Sequence, residues 1–164
     1  MLYRDQMQSF SPILPVRQEN AKGARGLPRG ISRAFRGLVN GHVDILLANE
    51  AEICSLYETA DFAAAAAAVR GHVAIAALTR SAEGSVILAD SPEHHIAAAP
   101  VARVVDTTGA GDLYASGFLF GLTHDRPLPT CGEIGSLCAA EIISHVGARP
   151  ETALSRSVAE AGLV

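Results

Sequence analysis

Residues 106–112 read Asp-Thr-Thr-Gly-Ala-Gly-Asp, a run whose types and spacing suit chemistry on an anion. It follows an apolar, extended-looking stretch, Val101–Val105, and opens a helix-like segment, Leu113–Phe120. Glycines at such a junction leave backbone N–H groups bare and let an anion approach them closely. Asp112 falls in the first turn of that helix, where its carboxylate could accept a proton beside the anion. An anion cradle next to a base is what phosphoryl transfer to a hydroxyl requires. A plainer reading stands beside it: the Gly-Ala-Gly turn serves tight packing, and the Asp complements the helix dipole.

The elements that must position this run follow from hydrophobic periodicity. Ile31–Asn40 reads as a short helix with Ile31, Phe35 and Leu38 on one face. His42–Ala48 reads as a buried strand ending at Asn49, and Val73–Thr79 as another. Between them Glu50–Tyr57 and Asp61–Arg70 read as helices, the second with Asp61 as its N-cap and a run of alanines. Gly84–Ala89 and His94–Ala98 look like two short strands parted by a turn at Asp90-Ser91-Pro92. Helices are expected near 112–123, 131–146 and 151–161. Strands alternating with helices predict an α/β layered domain with a mostly parallel sheet. Ligands in such sheets bind beyond the carboxyl ends of the strands. Asn49, Thr79 and Asp106 fall at or just past such ends, so three loops are expected to face one site.

Composition sets the class. At 49% hydrophobic and 18% charged, the 164 residues suit one globular domain rather than a disordered chain. No apolar run approaches the roughly 18 residues of a membrane span, and Met1–Asn20 has no signal-peptide core. Cys54, Cys131 and Cys138 form no CxxC pair and lie in apolar helical contexts, which predicts buried, reduced thiols and a cytoplasmic setting. Residues 1–36 carry seven Lys and Arg against Asp5 and Glu19, in a chain whose net charge is −4. Residues 1–30 are expected to be an irregular basic segment, and without a nucleic-acid module they predict no nucleic-acid partner. His94 and His95 would point to opposite faces of a strand and share no metal. No GxxxxGK[ST] occurs, which argues against a P-loop.

The DTTGAGD run with its apolar helix resembles the signature of the PfkB (ribokinase-like) family of sugar and nucleoside kinases, nearest its adenosine-kinase-like branch. Asn49-Glu50-Ala51-Glu52 resembles the family's Asn-x-x-Glu segment. Thr79-Arg80-Ser81-Ala82-Glu83-Gly84 resembles its nucleotide loop, with Ser81 in place of the first glycine. The likeness spans roughly residues 41–150. It implies that Asp112 is the general base and that the N–H groups of Gly109, Ala110 and Gly111 form the anion hole. It further implies that Thr79, Gly84, Thr107 and Thr108 line the ATP site, and that Asn49 and Glu52 organise Mg2+. Asp106 is expected to be structural or to lie near a monovalent cation, and His145 to lie near the adenine or to complement a helix dipole. Asn49 and Glu52 also fit a simple helix cap.

The implied reaction is transfer of the γ-phosphoryl group of ATP to a hydroxymethyl group of an adenosine-like nucleoside or a sugar. Nothing in residues 1–40 resembles the family's acceptor-binding half and lid. The expected fold is therefore a truncated ribokinase-like domain over residues 31–164, with an uncovered sheet edge open to self-association. The alternative function is an inactive remnant that binds at most nucleotide or a partner chain.

Overall fold

The computed structural model describes residues 29–90 and 92–164, with side chains from Ser32 onward. Of the segment 1–30 expected to be irregular, residues 1–28 lie outside the described residues, and Arg29 and Gly30 begin a helix. Helix α1 (Arg29–His42) leads into strand β1 (Ile45–Asn49), then helices α2 (Glu50–Leu56) and α3 (Phe62–Val69) and strand β2 (Ile75–Thr79). A 3-10 turn at Ser81–Glu83 precedes strands β3 (Ser85–Leu88) and β4 (His94–Ile96). Helices α4 (Ala110–Thr123), α5 (Leu128–Ile142) and α6 (Leu154–Glu160) complete the chain. No helix of the described residues is long and apolar enough to cross a membrane.

The strands form one sheet in the order β1-β2-β3-β4. β1 and β2 are parallel, joined through α2 and α3, whereas β2–β3 and β3–β4 are antiparallel. The expected α/β layers are present, but the sheet is mixed rather than mostly parallel. The physical reason is link length. A parallel crossover needs roughly a dozen residues or more, and the links at 80–84 and 89–93 permit only reversals.

Alternation along the strands feeds two layers. Ala76, Leu78, Val86 and Leu88 point to one face and pack with Val39, Ile53, Leu56, Ala65 and Val69 of α1, α2 and α3. Ile75, Ala77, Ile87 and Ile96 point to the other, against Tyr114 and Phe118 of α4 and Cys131 of α5. α4 and α5 approach closely: a Cβ on Gly117 would stand 2.8 Å from the Ile134 carbonyl oxygen. Every residue of β1 is half-buried, as expected of an edge strand paired on one side.

Two local expectations are corrected. In α1 it is Ser32 and Val39 that face inward, while Phe35 and Leu38 remain 38% and 43% exposed. The helix lies beside α2, with Arg36 paired to Glu58. Val101–Val105 forms no strand; Val104 is 54% exposed and the Val105 N–H bonds to the Ile143 carbonyl after α5. β-branched residues favour extended backbone, but this stretch finds a loop partner instead of a sheet neighbour. The three thiols are free; Cys131 and Cys138 are buried as expected, whereas Cys54 is only half-buried.

Asn49 caps α2 through a complete capping box. Its side-chain oxygen accepts from the Glu52 N–H at 2.9 Å, and the Glu52 carboxylate accepts from the Asn49 N–H at 2.8 Å. Asn49→Ala is therefore expected to cost about 1 kcal/mol, and Asn49→Ser only a few tenths. Urea denaturation of the two variants checks the difference.

Candidate functional site

The sheet register brings the first group of candidate residues together. Asn49 and Thr79 are directly paired at the carboxyl ends of β1 and β2, and Thr79 pairs with Ser85 across β2–β3. Gly84, just before Ser85, closes the intervening turn: its carbonyl accepts from the Arg80 N–H at 2.7 Å and its N–H donates to Ser81 at 3.1 Å. Arg80 ties the two loops to each other. Its guanidinium reaches Glu50 at 3.0 Å and Glu83 at 2.6 Å, and stacks over the Phe62 ring at 4.2 Å. No local pattern marks the Arg80–Glu50 pair in the sequence, because the two residues are thirty positions apart.

The second group is the glycine loop. Asp106 lies in irregular backbone rather than at a strand end, and its carboxylate clasps the loop. One oxygen accepts from the Thr108 N–H at 2.9 Å and the Thr108 hydroxyl at 2.7 Å; the other accepts from the Gly147 N–H at 3.0 Å. The bond from the Thr108 N–H, then those from Gly147 and the Thr108 hydroxyl, hold the Asp106 carboxyl below the ordinary aspartate range. With its oxygens committed to these donors, Asp106 fits a structural clasp better than a resident monovalent cation.

A carboxyl whose folded pKa is depressed adds stability above its unfolded value, near 3.9, and loses it as pH falls through the folded value. Asp106→Asn should therefore lower the urea midpoint at pH 7. The gap from the wild type should close progressively below about pH 4. Urea titrations at both ends of that range check it.

Gly109 is the N-cap of α4, at φ 84° and ψ −2°. That left-handed conformation favours glycine, and a Cβ there would stand 3.0 Å from the Ala148 Cβ. Having no side chain, Gly109 supplies no capping bond. The Ala110 N–H turns back to Thr107 at 3.2 Å, and the first bond to the cap carbonyl comes from Leu113 at 2.9 Å. The N–H groups of Gly111 and Asp112 thus open the helix without a side-chain acceptor, at the positive end of the dipole. Asp112 sits exposed in this first turn, and among the described residues its carboxylate has no hydrogen-bond or ion-pair partner. It is not spent on capping. Thr107 and Thr108 are exposed on the same loop.

The loop after α5 frames this cradle. His145 lies beyond the helix end and pairs with Glu141 at 3.4 Å, while Glu141 accepts from the Glu151 and Thr152 N–H groups at 2.9 Å each. That holds the segment supplying Gly147 to Asp106 and Ala148 to Gly109. Magnesium fits Glu52 in one way. Its Oε2 serves the capping box, and Oε1 would be the oxygen available to a hydrated ion; the Asn49 oxygen is committed to the cap. No cluster of three or more His, Cys, Asp or Glu side chains suited to a metal occurs among the described residues.

The chain is similar in sequence and fold to known proteins. Residues 27–153 match the family described as pfkB family carbohydrate kinase. An uncharacterized sugar kinase of Archaeoglobus fulgidus is 35% identical over 151 residues, covering 92% of this chain and 54% of that protein. The structure of a probable sugar kinase from Rhizobium etli CFN 42 superposes with a TM-score of 0.79 at 44% identity, over 83% of this chain and 42% of that one. Adenosine kinase from Sinorhizobium meliloti gives 0.77 at 41% identity, over 81% and 41%. The chain therefore spans about half or less of the length of these relatives.

Proposed function

This chain belongs to the pfkB family of carbohydrate kinases, and from that premise we propose that it carries the nucleotide and phosphoryl-transfer part of a sugar or nucleoside kinase. The γ-phosphoryl group of ATP would pass to a hydroxymethyl group, on an adenosine-like nucleoside ahead of a simple sugar. The observation that carries this reading is the start of α4, where the N–H groups of Gly111 and Asp112, without a side-chain acceptor, adjoin the Asp112 carboxylate, which has no partner among the described residues.

In the proposed mechanism the N–H groups of Gly109 and Gly111 receive charge building on the transferred phosphoryl group, joined by that of Ala110 once it leaves the Thr107 carbonyl. Asp112 orients the acceptor hydroxyl and takes its proton as the phosphorus–oxygen bond forms. Thr79, Gly84, Thr107 and Thr108 border the nucleotide. Glu52 would hold Mg2+ through water, and the ion would neutralise phosphate charge. The three free thiols suit the reducing cytoplasmic setting of this proposal. The half-buried edge strand β1 supports self-association through the sheet.

The test is transfer from Mg·ATP to a panel of nucleosides and sugars by the purified protein. Magnesium-dependent phosphorylation of a nucleoside is expected. Failure to bind ATP or to phosphorylate any member would contradict the proposal.

A further inference from the structure

Tyr114 is buried, 5% exposed, and donates its hydroxyl proton to the Ser85 hydroxyl oxygen at 2.8 Å; Ser85 is 2% exposed. Tyr114 stands two positions after Asp112 on α4, while Ser85 follows Gly84 and pairs with Thr79. One buried hydrogen bond therefore joins the helix that carries the candidate base to the strand that ends the candidate nucleotide loop. Among the described residues it is the one side-chain hydrogen bond between α4 and the sheet.

The surroundings leave the ring little freedom. A Cβ on Gly135 would stand 3.1 Å from two Tyr114 ring carbons and 2.8 Å from its carbonyl oxygen. The Phe118 ring stacks on it with centroids 6.3 Å apart. A phenylalanine would fill this space equally well, so packing alone gives no reason for the hydroxyl. A buried phenol does need a partner, and this one lies where the two loops must keep their mutual position.

We propose that the Tyr114–Ser85 hydrogen bond is a positioning link that sets the first turn of α4, with Asp112 and the anion cradle, against the Thr79–Gly84 loop. It rests on the kinase reading for what the two loops do; the mechanical link stands apart from that reading.

The experiment compares wild type, Tyr114→Phe, Ser85→Ala and the double variant by amide hydrogen exchange and by Mg·ATP titration. Exchange at Leu113 and Ala115 is expected to quicken by about tenfold in each single variant. Exchange at Cys138 and Ala139 in α5 should hold near the wild-type rate. The double variant should exchange no faster than the singles, because the same bond is lost in all three and the double leaves no buried hydroxyl unpaired. Mg·ATP affinity should weaken by a similar factor in each. Exchange that rises equally in α4 and α5, or in neither, or a double variant in which the single effects add, would overturn the link. A wild-type chain that binds no Mg·ATP would instead overturn the proposed function, and the exchange data would still decide the link.

Discussion

Asp112→Asn is expected to slow phosphoryl transfer by about 10²–10⁴-fold, the usual contribution of a positioned acid or base. Stability should stay within about 0.5 kcal/mol of wild type, as for a surface change that removes no packing or buried bond. The separation follows from the structure. Asp112 is exposed in the first turn of α4 and, among the described residues, bonds to no other side chain or capping group. If its role were only to complement the helix dipole, its loss would cost a few tenths to about 1 kcal/mol of stability and leave transfer intact. Rates of γ-phosphoryl transfer measured beside thermal denaturation distinguish the two. An unchanged rate would remove Asp112 from the chemistry.

Gly84→Ala is expected to have the largest effect on folding. A Cβ at Gly84 would stand 1.9 Å from the Ile96 carbonyl oxygen, 2.8 Å from the Ala98 nitrogen and 2.9 Å from the Ala97 carbonyl carbon. All three are backbone atoms, so no side chain can swing aside. The segment they belong to is pinned as well: Ser136 of α5 donates to the Ala97 carbonyl and accepts from the Ala99 N–H. The backbone at Gly84 is also at φ 85°. A loss above about 4 kcal/mol is expected, against a total stability of about 5–15 kcal/mol for a domain. Gly71→Ala supplies the control. Gly71 has φ 79° but nothing within 4 Å of its would-be Cβ, so only left-handed strain of about 1–2 kcal/mol is expected. Urea denaturation of both variants tests the ranking, and equal losses would contradict the close-contact account.

Local signals were legible in the sequence. Asp61 caps α3 as its position before the alanine run suggests, and Asn49 with Glu52 forms the box that their spacing permits. The DTTGAGD run opens a helix, and its likeness to the pfkB family holds across most of the chain. The links carried by distant pairs were not legible. Asp106 reaches Gly147 forty-one positions away, and Arg80 reaches Glu50 thirty away. Periodicity describes which face of an element is apolar, not which neighbour occupies it. Hence the inward face of α1 and the strand expected at Val101–Val105 were misread. Strand direction in β3 and β4 was available from link length, had the short connections been weighed against the parallel pattern.

The most direct test of the central claim follows backbone amide shifts by NMR as Mg·ATP is added. The largest changes are expected at Gly109, Ala110, Gly111 and Asp112, with a second set at Thr79–Gly84. Changes absent from the glycine loop, or confined to the α3 side of the sheet, would contradict it.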